Sequence, residues 1–303
     1  MNRDNLVQRL LFAAWAVPLG WLAINIEVSL LPPGLLVAPD VHVYPGHLGA
    51  ILVIFLACSE YIRMLSISFP RNGFWLAYIW LALQFISHFT GRLEGTQLDT
   101  YMLLLLVAGE AVIWGNKAGR WKRASLLFSG IAFLSVAGFS MVYLYQDPFQ
   151  SIFPSRFDNP LLAQLGIVTV FASTFACDSA AYFAGKAFGR HRLSAISPRK
   201  TVEGAAAGFA AAIAVFSLGW CFLAPESNVT KYGIAVGIAA GSLIGVFAKV
   251  GDLIVSLIKR SFRVKDSSNM IPGHGGVLDR FDSVFFAIPV VHLLFLVVGK
   301  FIE

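Results

Sequence analysis

Long apolar runs alternate with short polar connections along almost the whole chain. Nine such runs can be marked, near residues 6–30, 47–65, 74–89, 100–115, 124–145, 161–183, 203–223, 232–258 and 283–301. A bilayer crossing takes about 20 predominantly apolar residues in a helix. The pattern therefore predicts an all-α, polytopic integral membrane protein with about nine transmembrane helices. The third and fourth runs are short, which predicts a tilted or partly inserted helix there. No repeat of fixed period and no Pro- or Ser-rich linker divides the chain. The first run lacks a small-residue cleavage site and reads as a retained helix rather than a signal peptide. Residues 1–160 are expected to form five scaffold spans with dimer or lipid contacts, and residues 161–303 four spans that carry the chemistry.

Composition supports the same class. Of 303 residues, 57% are hydrophobic and 13% charged, where soluble domains carry about 25% charged residues. Mean hydropathy is +0.72, and no large extramembrane domain has room to exist. Cys58, Cys177 and Cys221 lie singly inside apolar runs, which excludes a disulfide framework or a structural zinc site. The net charge of +6 fits cytoplasmic loops and anionic headgroups rather than nucleic acid.

The basic residues also set the orientation. Arg3 and Arg9 precede the first span; Arg63 and Arg71 follow the second; Lys117, Arg120, Lys122 and Arg123 follow the fourth. Lys186, Arg190, Arg192, Arg199 and Lys200 follow the sixth, and Lys259, Arg260, Arg263, Lys265 and Arg280 follow the eighth. The opposite loops hold only Arg92, Arg156 and Lys231. Positively charged loops stay on the cytoplasmic side. The expected topology is an N-terminus in the cytoplasm and a C-terminus outside.

The candidate chemistry lies in the second half. Glu27, Glu60, Asp99 and Glu110 in the first half read as isolated acids, snorkelled or paired. Asp178 sits inside the sixth span, where a carboxylate costs roughly 2.5–3.5 kcal/mol to insert and is a functional candidate by default. Asp178, Tyr182 and Lys186 are four apart and share one helix face, with Gly185 and Gly189 allowing close approach of a backbone or ligand. An aspartate paired to a neighbouring helix is the plain alternative. Ser197, Arg199, Lys200 and Thr201 precede a helix whose N-terminus favours anions, and Glu203 in its first turn can act as a cap. In the eighth span Lys249, Asp252, Ser256 and Lys259 form one polar stripe, which must face protein or a wet cavity. The stripe runs into Arg260, Lys265 and Asp266. A Gly-rich segment with His274, Gly275 and Gly276 follows, then Asp279, Arg280 and Asp282. Carboxylates mixed with cations at a membrane face suit the binding of divalent metal and polyphosphate. A polybasic loop resting on headgroups explains the cations alone.

Ser256-Leu257-Ile258-Lys259-Arg260, Lys265-Asp266-Ser267-Ser268 and Pro272-Gly273-His274-Gly275-Gly276-Val277-Leu278-Asp279-Arg280-Phe281-Asp282 together resemble the signature of phosphatidate cytidylyltransferases, or CDP-diacylglycerol synthases. Asp178-Ser179-Ala180-Ala181-Tyr182, Gly185-Lys186, Phe188-Gly189-Arg190 and the stretch from Ser197 to Gly204 resemble an upstream region of the same family. The likeness covers roughly 175–283. It departs at Val255, where members often have an acid, and at Ala207-Gly208, where they often have two glycines. The resemblance implies transfer of a cytidylyl group from CTP to phosphatidic acid, giving CDP-diacylglycerol and pyrophosphate in phospholipid biosynthesis. It implies Mg²⁺ and a second cation, K⁺ being one candidate, on Asp252 and Asp279. Lys259, Arg280 and Asp282 would join them in catalysis. Asp178, Tyr182, Ser197, Lys200, Thr201, Glu203, Lys249, Ser256, Arg260, Lys265, Asp266, His274, Gly275 and Gly276 would bind substrate. The remaining expectations are a homodimer, contact with membrane lipids, no nucleic-acid partner, and a bacterial inner membrane with the site facing the cytoplasm. A CTP-using enzyme with another lipid acceptor is a related reading. A transporter relaying ions through Asp178, Lys249 and Asp252 fits less well, because transporter sites lie at the midplane of an internal repeat.

Overall fold

A computed structural model describes residues 45–68, 120–146, 160–194, 197, 200–223, 229–271 and 275–302, with scattered positions between 75 and 82. The helices are α1 (Pro45–Ser68), α2 (Arg120–Gln146), α3 (Pro160–Phe188), α4 (Val202–Leu223), α5 (Val229–Ser261) and α6 (Val277–Ile302). Among the described residues there is no strand, only isolated bridges between Arg192 and Thr201 and between Ile271 and Gly275. Six predicted runs coincide with these helices. The runs at 6–30 and 100–115 lie outside the described residues, and that at 74–89 is described, as helix, only at scattered positions.

Among the described residues, five helices are long and apolar enough to cross a membrane: Leu48–Ser68, Gly166–Phe188, Val202–Phe222, Gly233–Ser261 and Val277–Val298. Within α2, a helix of 27 residues, the described stretch Ser129–Val142 is apolar as well. Large apolar side chains such as Phe183, Phe188, Leu218 and Phe222 are exposed, as lipid-facing side chains must be. Several hydroxyls within the helices are satisfied locally. Ser59, Ser135 and Thr174 each donate to the carbonyl four residues back, at 2.8, 2.7 and 2.9 Å, which spares them partners that lipid cannot offer. The chain is an integral membrane protein built of helices.

The described chain forms two compact units. One takes in the residues up to Gly138 together with Asp266–Leu278; the other takes in Phe139–Lys265 and the chain from Asp279 onward. In the first, α1 and α2 meet through Tyr61, whose hydroxyl donates to the Leu126 carbonyl at 2.6 Å. In the second, α4 packs between α3 and α5. Small residues set that packing. A Cβ on Gly204 would lie 2.5 Å from the Ala181 carbonyl oxygen, and one on Gly208 2.5 Å from that of Cys177. On α5, Gly237, Gly241 and Gly245 recur every fourth residue and face the backbones of Ser217, Ile213 and Phe209 on α4. Spacing of four keeps the glycines on one face, where backbones approach closely. Ala207 in place of a second glycine leaves the α3–α4 crossing close, because Gly204 and Gly208 already line it. Phe216, Trp220 and Phe295 stack behind, with ring centroids 5.2–6.4 Å apart.

The C-terminus of α5 is closed by a Schellman motif. The Val264 N–H bonds the Lys259 carbonyl and the Arg263 N–H that of Arg260, both at 3.0 Å, with Arg263 at φ 59°.

Candidate functional site

The end of α3, the segment ahead of α4 and the middle of α5 enclose a pocket of about 550 Å³, lined by Asp178, Tyr182, Lys186, Ser197, Lys200, Thr201, Lys249 and Asp252 with Ala181, Gly185, Leu193 and Ala205. The volume is that of an ordinary small-molecule site. Each wall follows from sequence. Four-residue spacing turns Asp178, Tyr182 and Lys186 to one side of α3, and three-residue spacing does the same for Lys249 and Asp252 on α5. The segment between α3 and α4 folds back on itself: the Leu193 N–H donates to the Lys200 carbonyl at 2.8 Å and the Lys200 N–H to that of Ser197 at 3.1 Å.

Two ion pairs cross the pocket. Lys249 Nζ lies 2.6 Å from Asp178 Oδ1, and Lys200 pairs with Asp252. Lys186 is exposed at the rim. Three lysines against two aspartates leave surplus positive charge, so the pocket favours an anion. The helix N-terminus contributes less than its sequence suggests. The Val202 N–H donates to the His191 carbonyl at 2.9 Å and the Gly204 N–H to Thr201 Oγ1 at 3.1 Å. With those donors taken, the lysines carry the attraction. Thr201 is the cap. Glu203 accepts from its own N–H in the first turn and from the backbone N–H groups of Arg190 and His191, and pairs with His191 Nδ1 at 2.6 Å, which pins the turn after α3 and leaves Glu203 outside the pocket lining.

A second polar group lies where α5 and α6 meet. Lys259 Nζ is 2.5 Å from Asp279 Oδ1, with both side chains largely buried at 12% and 6% exposure. Each complements its own helix dipole, a cation at the end of α5 and an acid at the start of α6. Asp282, buried, accepts from the Ser283 N–H at 2.7 Å. A Cβ on Gly251 would meet the Asp282 carbonyl oxygen at 2.7 Å, so the turn carrying Asp252 abuts the one carrying Asp282. Val255 is buried on the same helix. Ser256 is half-buried, while Arg260, Lys265, Asp266 and Arg280 are exposed; Arg260 Nη1 reaches the Val264 carbonyl at 3.4 Å.

The Gly-rich segment belongs to the first unit. Ile271 and Gly275 exchange N–H···O bonds of 2.9 and 3.2 Å, and Gly275 at φ 86° takes a conformation that disfavours a side chain. His274 lies outside the described residues. Of the two expectations for Glu60, snorkelled or paired, the second holds, through hydrogen bonds. Its carboxylate is buried, 2% exposed, and is neither snorkelled nor ion-paired among the described residues. It accepts from Ser267 Oγ, Ser268 Oγ and the N–H groups of Val277 and Leu278 at 2.7, 2.6, 2.8 and 2.8 Å. The apolar run around Glu60 signalled an expensive carboxylate; its partners lie more than 200 residues away.

The profile of the cytidylyltransferase family matches residues 34–298, nearly the whole chain. The chain belongs to the cytidylyltransferase family. Membership places it among nucleotidyltransferase enzymes. It is 44% identical over 140 residues to a phosphatidate cytidylyltransferase of Synechocystis, a match spanning 46% of this chain and 45% of that protein, about half of each. It is 28% identical over 246 residues to a phosphatidate cytidylyltransferase of Staphylococcus saprophyticus, covering 80% and 86%. A third, from Pseudomonas aeruginosa, is 36% identical over 199 residues, covering 65% of each chain.

Among the described residues no three His, Cys, Asp or Glu converge into a complete metal cage. Magnesium bound by one or two carboxylates plus substrate phosphates needs none. The Asp252 and Asp279 carboxylates each already hold a lysine ammonium. Their hard oxygen donors fit such an ion.

Proposed function

We propose that this protein transfers a cytidylyl group from CTP to phosphatidic acid, forming CDP-diacylglycerol and pyrophosphate. The observation that carries the reading is the lysine-rich, aspartate-bearing pocket among membrane-length helices in a chain of this family. The lysines at 186, 200 and 249 would hold the phosphates, and Asp178 and Asp252 would keep Lys249 and Lys200 extended into the pocket until substrate arrives. Asp252 and Asp279 would hold Mg²⁺ and a second cation, which when bound supply charge neutralisation on the triphosphate. Lys259 would hold Asp279 in place. The lipid phosphate, nucleophilic near neutral pH as the dianion, bonds to the α-phosphorus while the α–β bridging bond breaks and pyrophosphate departs. Positioning and electrostatics then suffice, without a protein nucleophile. His274 is expected to position the loop or a phosphate rather than take a proton.

In this reading the protein is a homodimer in a bacterial inner membrane, with nine crossings, the N-terminus in the cytoplasm and CTP entering from that side. The test is incubation of purified protein with labelled CTP, Mg²⁺ and phosphatidic acid. Label should pass into lipid with release of pyrophosphate. Asp252→Asn and Asp279→Asn should lower turnover by orders of magnitude in folded protein. A variant retaining over about a tenth of wild-type activity has lost less than ~1.4 kcal/mol of transition-state stabilisation, and its residue is then no metal ligand. Absence of transfer by the wild type to phosphatidic acid, with transfer to another lipid acceptor, would replace the substrate assigned.

A further inference from the structure

The Glu60 carboxylate ties both ends of the Gly-rich segment to α1. Oε1 accepts from Ser268 Oγ and the Val277 N–H, and Oε2 from Ser267 Oγ and the Leu278 N–H. The two hydroxyls precede the turn closed by Ile271 and Gly275, and the two N–H groups follow it. Val277 and Leu278 open α6, so their N–H groups have no acceptor within the helix, and a carboxylate from another helix caps them. Gly276 makes room for this: a Cβ there would land on Ser267 Oγ and Glu60 Oε2. Asp279 is the next residue of the same helical turn, and its carboxylate is the one held by Lys259.

We infer that Glu60 is a positioning residue for the cytidylyl transfer, fixing where α6 begins and therefore where Asp279 points. The inference rests on the function proposed above for its kinetic readout, and on geometry alone for its structural one. Four donors converge on two oxygens, an arrangement suited to an acceptor-only carboxylate. A glutamine there would turn its NH₂ toward two of those donors, and an aspartate would fall short by one methylene.

The experiment compares wild type with Glu60→Gln, Glu60→Asp and Gly276→Ala in detergent, by steady-state kinetics and by amide hydrogen exchange. Supporting groups around a metal site change activity by about 10–100-fold when removed. Glu60→Gln and Gly276→Ala should both lower kcat by about tenfold or more, with KM for CTP changed less than about threefold. Exchange should rise at 266–280 and stay at wild-type levels in α3, α4 and α5. Glu60→Asp, which keeps the charge, should recover part of the kcat lost in Glu60→Gln. Unchanged kcat and unchanged exchange in Glu60→Gln would overturn the inference. A rise in exchange across all helices would also overturn it, by making Glu60 a general folding residue. A wild type inactive on CTP would remove the functional reading while the exchange comparison still decided whether Glu60 holds α6.

Discussion

Gly204→Ala tests how tightly the α3–α4 crossing holds the pocket together. The added methyl would sit 2.5 Å from the Ala181 carbonyl oxygen and 3.1 Å from the Gly185 Cα. Both are backbone atoms, so no side chain can swing aside, and the helices must separate by roughly 0.8–1 Å to restore van der Waals contact. Overpacking of this kind costs about 1–3 kcal/mol. Against that, alanine is favoured over glycine in a helix interior by about 0.8–1 kcal/mol. The net loss should be about 0–2 kcal/mol, and the gap to a propensity-only control about 1–3 kcal/mol. Gly49→Ala on α1 is the internal control, because nothing lies within 4 Å of the new methyl and only the propensity gain remains. The assay is reversible unfolding in mixed micelles, followed by kinetics with CTP. Asp178 stands on one side of the crossing and Lys200 and Thr201 on the other, so the separation should also raise KM for CTP. If Gly204→Ala proves as stable as Gly49→Ala within about 0.5 kcal/mol, the crossing is looser than its geometry requires and the reasoning is wrong.

Arg263 holds a left-handed conformation that costs an L-residue roughly 1–2 kcal/mol; Arg263→Gly should therefore be neutral or raise the melting temperature in detergent, whereas Arg263→Val should lower it. Sidedness can be read by single-cysteine labelling of intact cells in a cysteine-free background: a position near Asp158 should react with an impermeant reagent and one near Lys265 only after lysis, and reaction at Lys265 without lysis would overturn both the topology and the route of CTP.

The helices were legible because lipid imposes one rule on every crossing, and the apolar runs record it. Their ends were less legible. The run at 283–301 becomes a helix from Val277 because a glutamate from α1 caps it, and nothing local to Val277 announces that partner. The polar stripes on α3 and α5 could be read from spacing of three and four, yet the pairing of Asp178 with Lys249 links residues 71 apart. The glycines at 237, 241 and 245 repeat with a period of four that gained a meaning only once the packed structure set α4 against them. Glu203 was legible only in part: its first-turn position suits a cap, and its carboxylate also holds the turn at Arg190 and His191, a partner nothing local to it announces.

The length of α5 has a consequence of its own. Its apolar candidate span, Gly233–Ser261, has 29 residues, about 43 Å at 1.5 Å per residue, against a hydrocarbon thickness of about 30 Å. Full immersion would need a tilt of roughly 45°, beyond the 0–40° that spanning helices show. The helix is longer than the hydrocarbon core it would cross, and its charged end, with Lys259 and Arg260, is the part best able to stand clear. Asp252, two turns earlier, then lies close to the hydrocarbon boundary. A thicker bilayer would draw that turn inward and a thinner one would release it. Acyl-chain length in the host membrane would then act on the pocket, apart from any preference for the acyl chains of a lipid substrate.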